Sequence, residues 1–282
     1  MNDNPVEIIK ITKVNANGIN ETNDKVAVEE PLGIQLEYSS TTGRMLKNIA
    51  VTMRTPGNDE ELAVGFLFTE GVFQNINDIA EVKRLNTDVN LIRVVLNQNV
   101  IPKLSNVSRN FYTTSSCGIC GKGSIEAIHT VSQFEGTEDN IQINAIELFQ
   151  LQIKIKDQQK VFEDTGGIHA SALFSIEGNF MMLREDVGRH NALDKVIGCS
   201  FMNNQLPLSK NILFLSGRAS FELVQKAVMS GIKIIAAVGA PSNLAVEVAK
   251  ENDITLIGFL REDKFNIYAG KQRIKTTYQP TS

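Results

Sequence analysis

The second half of the chain alternates short apolar runs with amphipathic ones, and no other feature constrains its fold as strongly. From residue 145 to 162 the spacing predicts a helix with the apolar residues Ile146, Phe149 and Ile153 on one face. A hairpin follows, residues 169–176 and 180–183 around the turn Glu177-Gly178-Asn179. Residues 191–199 read as a helix with Leu193, Val196 and Ile197 on one face, and 212–215 as a fully apolar strand. Phe221, Val224 and Val228 mark a helix, 233–238 a strand, Pro241-Ser242 the start of another helix and 254–259 a closing strand. Strands apolar on both faces must be covered on both, and helices between them are the usual crossovers of a largely parallel sheet. The expected class is therefore α/β, with a smaller, β-rich α/β region ahead of it. There, strand patterns at 26–28, 33–38, 49–53 and 91–96 surround a helix over 59–68 that opens with acids and ends before Gly71. The polar stretch 132–140 divides an N-terminal region, 1–140, from a C-terminal domain, 141–282.

That architecture points to a place for a ligand. In open α/β sheets, ligands bind beyond the carboxyl ends of the strands. Here those ends carry Ser216-Gly217-Arg218, Gly239-Ala240-Pro241-Ser242 and Leu260-Arg261-Glu262-Asp263-Lys264. Small residues expose backbone amides at helix starts, and Arg218, Arg261 and Lys264 add positive charge, a combination suited to phosphate. A local site is needed, because a formal net charge of -4 gives the surface as a whole no attraction for nucleic acid. The first residues lack the basic and apolar regions of a signal peptide, and no apolar run approaches the roughly 20 residues needed to cross a bilayer. Three cysteines in 282 residues form no disulfide framework, so a reducing cytoplasm is the expected compartment.

Two of those cysteines stand together in Ser115-Ser116-Cys117-Gly118-Ile119-Cys120-Gly121-Lys122-Gly123. Glycines on each side and an adjacent lysine describe an accessible thiol loop in which the nucleophilic thiolate is favoured. A zinc site needs two further ligands, and Cys199, His129, His169 and His190 are not spaced to provide them. A thioredoxin-like pair would stand inside a βαβ unit, whereas this one lies between regions. A phosphate-binding P-loop would need glycine at Ser116 and a hydroxyl at Gly123. Group transfer through a cysteine persulfide fits the loop best. His129 reads as a hydrogen-bonded, partly buried residue. His190, among Asp186, Arg189, Asn191 and Asp194, reads as the wall of a site.

The element order also resembles the cytidine deaminase fold, without its chemistry. Zinc deaminases carry H-x-E and P-C-x-x-C at two helix starts. Here His190-Asn191-Ala192 lacks the glutamate, and Ser216-Gly217-Arg218-Ala219-Ser220 lacks both cysteines.

Four runs together, Ser116–Gly121, Thr165–His169, Glu185–Lys195 and Ser216–Arg218, resemble the FdhD family of formate dehydrogenase accessory sulfurtransferases. The resemblance spans about residues 25–275. It implies a cytoplasmic, dimeric protein with a deaminase-like second region. Such a protein accepts sulfur from a cysteine desulfurase and passes it to the molybdenum bis(molybdopterin guanine dinucleotide) cofactor of formate dehydrogenase. It makes Cys117 the persulfide carrier, with Cys120 as a resolving or supporting thiol, and matches the cofactor-binding segment to Phe259, Leu260, Arg261, Glu262, Asp263 and Lys264. Gly217, Arg218 and His190 are added to that site from the strand-end and helix-start readings above, and guanine nucleotides are expected to mimic part of the cofactor. The alternative is a non-catalytic chaperone of the cofactor whose cysteines are incidental. With Gly217 and Ser220 at the deaminase cysteine positions, elemental analysis of the purified protein should find no stoichiometric zinc; about one zinc per chain would return Cys117 and Cys120 to the role of ligands.

Overall fold

The computed structural model describes residues 4–85, 88–104, 134 and 140–276. The Cys117–Cys120 loop, the expected helix at 125–128 and His129 lie outside the described residues. The strands are β1 (Val6–Asn15), β2 (Gly18–Ala27), β3 (Glu30–Ser40), β4 (Gly43–Arg54), β5 (Ile79–Leu85), β6 (Asp88–Leu96), β7 (Ile143–Asn144), β8 (His169–Ser175), β9 (Phe180–Asp186), β10 (Asn211–Leu215), β11 (Ile234–Ala237), β12 (Thr255–Gly258), β13 (Asn266–Ala269) and β14 (Ile274–Lys275). The α-helices are α1 (Asp59–Thr69), α2 (Ala145–Lys156), α3 (Lys160–Thr165), α4 (Arg189–Met202), α5 (Phe221–Met229) and α6 (Asn243–Glu251).

The C-terminal sheet has the order β13-β12-β11-β10-β8-β9. Its centre, β10-β11-β12, is parallel, as the apolar strands and intervening helices require, and antiparallel neighbours close both sides. Alternate side chains of each strand enter different cores. Ile212 and Phe214 of β10 join Ile234, Ala236 and Phe174 against Leu148, Leu151 and Ile155 of α2. Leu213 and Leu215 face the other way, into a core shared with α4, α5 and α6. This is the two-faced α/β layer expected from the sequence.

Helix α2 differs from the reading above in its orientation and its end. Ile146 and Ile153 are 61% and 46% exposed, while Leu148, Leu151 and Ile155 are buried. The helix stops at Lys156, and Asp157, Gln158 and Gln159 supply no apolar residue to carry the buried stripe further. A separate turn of helix, α3, resumes at Lys160.

The N-terminal sheet has the order β4-β3-β6-β5, and β1 and β2 form an antiparallel ribbon beside it in sequence. One face of the sheet contributes Leu32, Ile34, Leu36, Ile92, Val94 and Leu96 to the same core as α4, α5 and α6. Helix α1 bridges the two through contact with α4 at glycine. A Cβ on Gly65 would lie 1.9 Å from the Asp194 carbonyl oxygen, and one on Gly198 1.8 Å from that of Glu61. Only hydrogen fits at either position, so the two backbones touch. With α1 on one side and the sheet on the other, α4 is buried almost all round.

Polar side chains in this crossing are paired. Lys226 Nζ lies 2.9 Å from both Asp194 carboxylate oxygens and donates to Thr69 Oγ1 at 2.8 Å, tying α5, α4 and the end of α1 together. Burial pushes the Asp194 carboxyl above the usual carboxylate range, against the pull of Lys226. Among the described residues no helix is long and apolar enough to cross a membrane. Removing one partner of a buried ion pair strands the other charge, at a cost of about 3–5 kcal/mol, whereas an apolar pair of similar volume is often neutral. Urea unfolding should therefore show Asp194→Ala destabilised by about that amount, and Asp194→Leu with Lys226→Met restored to near the parent.

Candidate functional site

The strand ends of the C-terminal sheet form one edge, extended past the strands by backbone hydrogen bonds. His169, the first residue of β8, pairs with Asp186, the last of β9. The Ser216 N–H donates to the Ala170 carbonyl at 3.0 Å, and the Ser216 hydroxyl accepts from the Ala170 N–H at 2.8 Å. Beyond β10 and β11, the Gly239 N–H donates to the Gly217 carbonyl at 2.9 Å. The Phe259 N–H then donates to the Gly239 carbonyl at 3.2 Å. Glycine is required in the middle of this row: a Cβ on Gly239 would lie 2.8 Å from the Arg218 backbone. The starts of α4, α5 and α6 follow β9, β10 and β11, so their amide ends arrive at the same edge.

The polar run Glu185–Lys195 divides into two jobs. Asp186, Asn191, Asp194 and Lys195 are buried and hold the fold. Asp186 accepts from the Gly188 N–H at 2.8 Å, the Asn191 amide at 3.0 Å and the Thr55 N–H at 3.2 Å, and pairs with Lys195 at 2.7 Å. Lys195 also donates to the Thr55 carbonyl at 2.9 Å, and Asn191 to that of Met53 at 2.7 Å. Burial raises the Asp186 carboxyl above its ordinary range despite Lys195. This knot fixes the start of α4 against the end of β4. Of the same run, Arg189 and His190 remain partly exposed at the edge. His190 Nε2 lies 2.8 Å from Glu222 Oε2 and 3.3 Å from Ser220 Oγ on the start of α5. Both contacts use one nitrogen, so the ring is not a relay between serine and carboxylate.

His169 belongs to this edge as well. A Cβ on Gly217 would come within 3.3 Å of its Nδ1, so the half-buried ring lies over the Gly217 loop. Burial lowers the pKa of His169 below its ordinary value, and Arg189, His190 and Arg218 lower it further. Arg218 has no hydrogen bond or ion pair among the described residues.

The segment 259–264 is a tight turn at the end of β12. Phe259 adopts a left-handed backbone with φ 53° and leaves 43% of its surface exposed. Leu260 is fully buried in the α2-side core. Its expected place among the ligand-contacting residues is therefore corrected: it anchors the turn. The Arg261 N–H closes the turn on the Lys264 carbonyl at 2.8 Å, and Arg261 Nη1 donates to the Val238 and Leu260 carbonyls at 2.9 and 2.6 Å. Arg261 thus braces the edge with part of its guanidinium, while Glu262, Asp263 and Lys264 are exposed. The remaining cysteine, Cys199, sits away from this edge on the exit side of α4. The Arg184 guanidinium reaches its sulfur at 3.3 Å, and burial, with Glu61, raises the thiol pKa, which disfavours the thiolate. No group of three or more potential metal ligands is placed for an ion among the described residues.

The family profile described as FdhD/NarQ matches residues 27–275. The chain belongs to the FdhD/NarQ family. It is 46% identical over 258 residues to the sulfur carrier protein FdhD of Mycolicibacterium paratuberculosis, covering 89% of this chain and 92% of that one. It is 40% identical over 266 residues to the Sulfolobus acidocaldarius protein of the same name, covering 94% and 97%. Its fold matches a crystal structure assigned to a formate dehydrogenase accessory protein from Desulfotalea psychrophila, with a TM-score of 0.75 and 23% identity over 96% of this chain and all of the other. The mixed α/β architecture is thus that of the FdhD/NarQ proteins.

What the edge offers is backbone amides, arginines and imidazoles around Gly217 and Gly239, a set of groups whose chemistry suits an anion. Replacing Gly239 by alanine should push the Arg218 loop outward, destabilise the protein by about 1–3 kcal/mol and shift the amide resonances of residues 216–219 most, as heteronuclear NMR would show.

Proposed function

We propose that this FdhD/NarQ protein is a sulfur carrier. It takes persulfide sulfur from a cysteine desulfurase onto Cys117 and delivers it to the molybdenum bis(molybdopterin guanine dinucleotide) cofactor, which formate dehydrogenase needs for activity. The observation that carries this reading is membership of the family at 40–46% identity to relatives named sulfur carrier proteins. The strand-end edge supports it from the side of the substrate. The cofactor is a large polyanion, and Arg189, Arg218, Arg261 and Lys264 border a row of small residues at helix starts.

The chemistry follows from the two thiols. The Cys117 thiolate attacks the outer sulfur of the desulfurase persulfide, forming a Cys117 persulfide and releasing the desulfurase thiolate. Attack by the Cys120 thiolate on the inner sulfur then breaks the persulfide S–S bond. The outer sulfur leaves with both bonding electrons, at the level of sulfide, for the metal of the bound cofactor. A Cys117–Cys120 disulfide remains and must be reduced by a cellular dithiol before the next cycle. The strand-end edge holds the cofactor by its pyrophosphates and takes no part in breaking bonds.

Loading and delivery should therefore separate by mutation. Intact-mass analysis after incubation with a desulfurase and cysteine should show one added sulfur on the parent and none on Cys117→Ser, which should also fail to mature formate dehydrogenase. Full sulfuration of the cofactor by purified Cys117→Ser would sink the proposal. The double variant Arg261→Ala, Lys264→Ala should load sulfur normally yet bind the cofactor, and GDP as its partial mimic, at least about tenfold more weakly, since charge-assisted contacts contribute about 1.5–3 kcal/mol each.

A further inference from the structure

His169 stands in an arrangement that the anion-site reading alone does not explain. Cations are normally gathered around an anion site, but here a half-buried imidazole is placed among them. From α4 it faces Arg189 and His190, from the loop after β10 it faces Arg218, and from its strand partner β9 it faces Asp186. The two carboxylates in this cluster are already committed. Asp186 is bound by Lys195, Asn191 and the Gly188 and Thr55 amides. Glu222 lies 2.8 Å from His190 Nε2. What reaches His169 is therefore a net positive field, and in the protein alone its imidazole is held neutral by burial and by that field.

A polyanion against the same edge reverses the sign of the field. Its phosphate oxygens offset Arg189 and Arg218, and the imidazole, lying over the Gly217 loop, then has an acceptor instead of like charges beside it. Only the burial cost is left to oppose protonation.

We propose that His169 is a phosphate-binding residue that takes up one proton from solvent when a nucleotide polyanion docks at the strand ends, so that the ligand is held more tightly as pH falls. The added proton gives the edge one more cation while the ligand is present and removes it when the ligand leaves. His190 is the bystander in this scheme, because its Nε2 is already engaged by Glu222 and Ser220. The inference rests on the anion-site reading of the strand ends, and its test is chosen so that the two can fail separately.

The chain has three histidines, so imidazole NMR resonances can be followed individually and assigned with His169→Gln and His190→Gln. GDP is the probe. In the protein alone the His169 midpoint should lie below 6.5, the ordinary value for histidine. Saturating GDP should move it upward by about 1–3 units, the range for an opposite charge within a few ångströms. Over the pH interval between the two midpoints, GDP affinity should rise about tenfold per unit fall in pH relative to His169→Gln, whose affinity should lack this dependence. If GDP binds and the His169 midpoint does not move, the proton-linked role is wrong and the anion site stands. If GDP does not bind at millimolar concentration, both fall. If His190 moves in place of His169, the phosphate sits against α5 and the assignment to His169 is overturned. The midpoint itself is read on the unmodified protein, and if one variant fails to fold, the other still separates the His169 and His190 resonances.

Discussion

The structure depends on the contact between α1 and α4, where two glycines bring backbone against backbone. Once Gly65 and Gly198 are that close, α4 must lie between α1 and the six-stranded sheet, and Asn191, Asp194 and Lys195 on it are cut off from water. Their pairing follows from that burial. Lys195 is matched by Asp186 and Asp194 by Lys226, because an unmatched charge there would cost several kcal/mol. The pairs are not a source of net stability in themselves. They specify which way α4 is turned, and so which of its first residues face the strand-end edge. Arg189 and His190 reach that edge because Asp186, Asn191 and Asp194 are held on the other sides.

This arrangement explains why the sequence run 185–195 is so polar. Read as a string, it suggested one crowded site. In the folded chain its members divide, the buried ones fastening the start of α4 to residues 52–55 at the end of β4, and Arg189 and His190 reaching the strand-end edge. A change at Thr55 therefore acts on the edge through Asp186, without touching a ligand.

Much of the fold was legible because its strands are short, apolar and separated by helices, which leaves few alternatives to a parallel centre. The gathering of Gly217, Gly239, Arg218, Arg261 and Lys264 at one edge of the sheet followed from the same alternation, because each comes just after a strand of it. Other parts were not. The ribbon β1-β2 has no buried face, and apolar residues such as Ile8, Val14 and Ile19 stand exposed, so its pattern marks no core side. In α2, two series satisfy the helical period equally, 146/149/153 and 148/151/155, and the choice between them is made by Phe174 and Phe214 across the layer. Leu260 entered the ligand segment through the family resemblance and its place at a strand end, but a hydrophobic residue in a tight turn at a sheet edge is drawn inward. His169 carries no local signal beyond its place after Gly166-Gly167; its neighbours come from three different elements.

The distance in sequence between the two crossing helices has a consequence for how the chain is made. Gly65 and Gly198 are nearly half the chain length apart, so α1 emerges from the ribosome long before its partner. Leu62, Leu67 and Phe68, all buried in the finished protein, have only the N-terminal sheet to cover them in that interval. A nascent chain in this state is open to aggregation and suited to holding by chaperones until α4 is made.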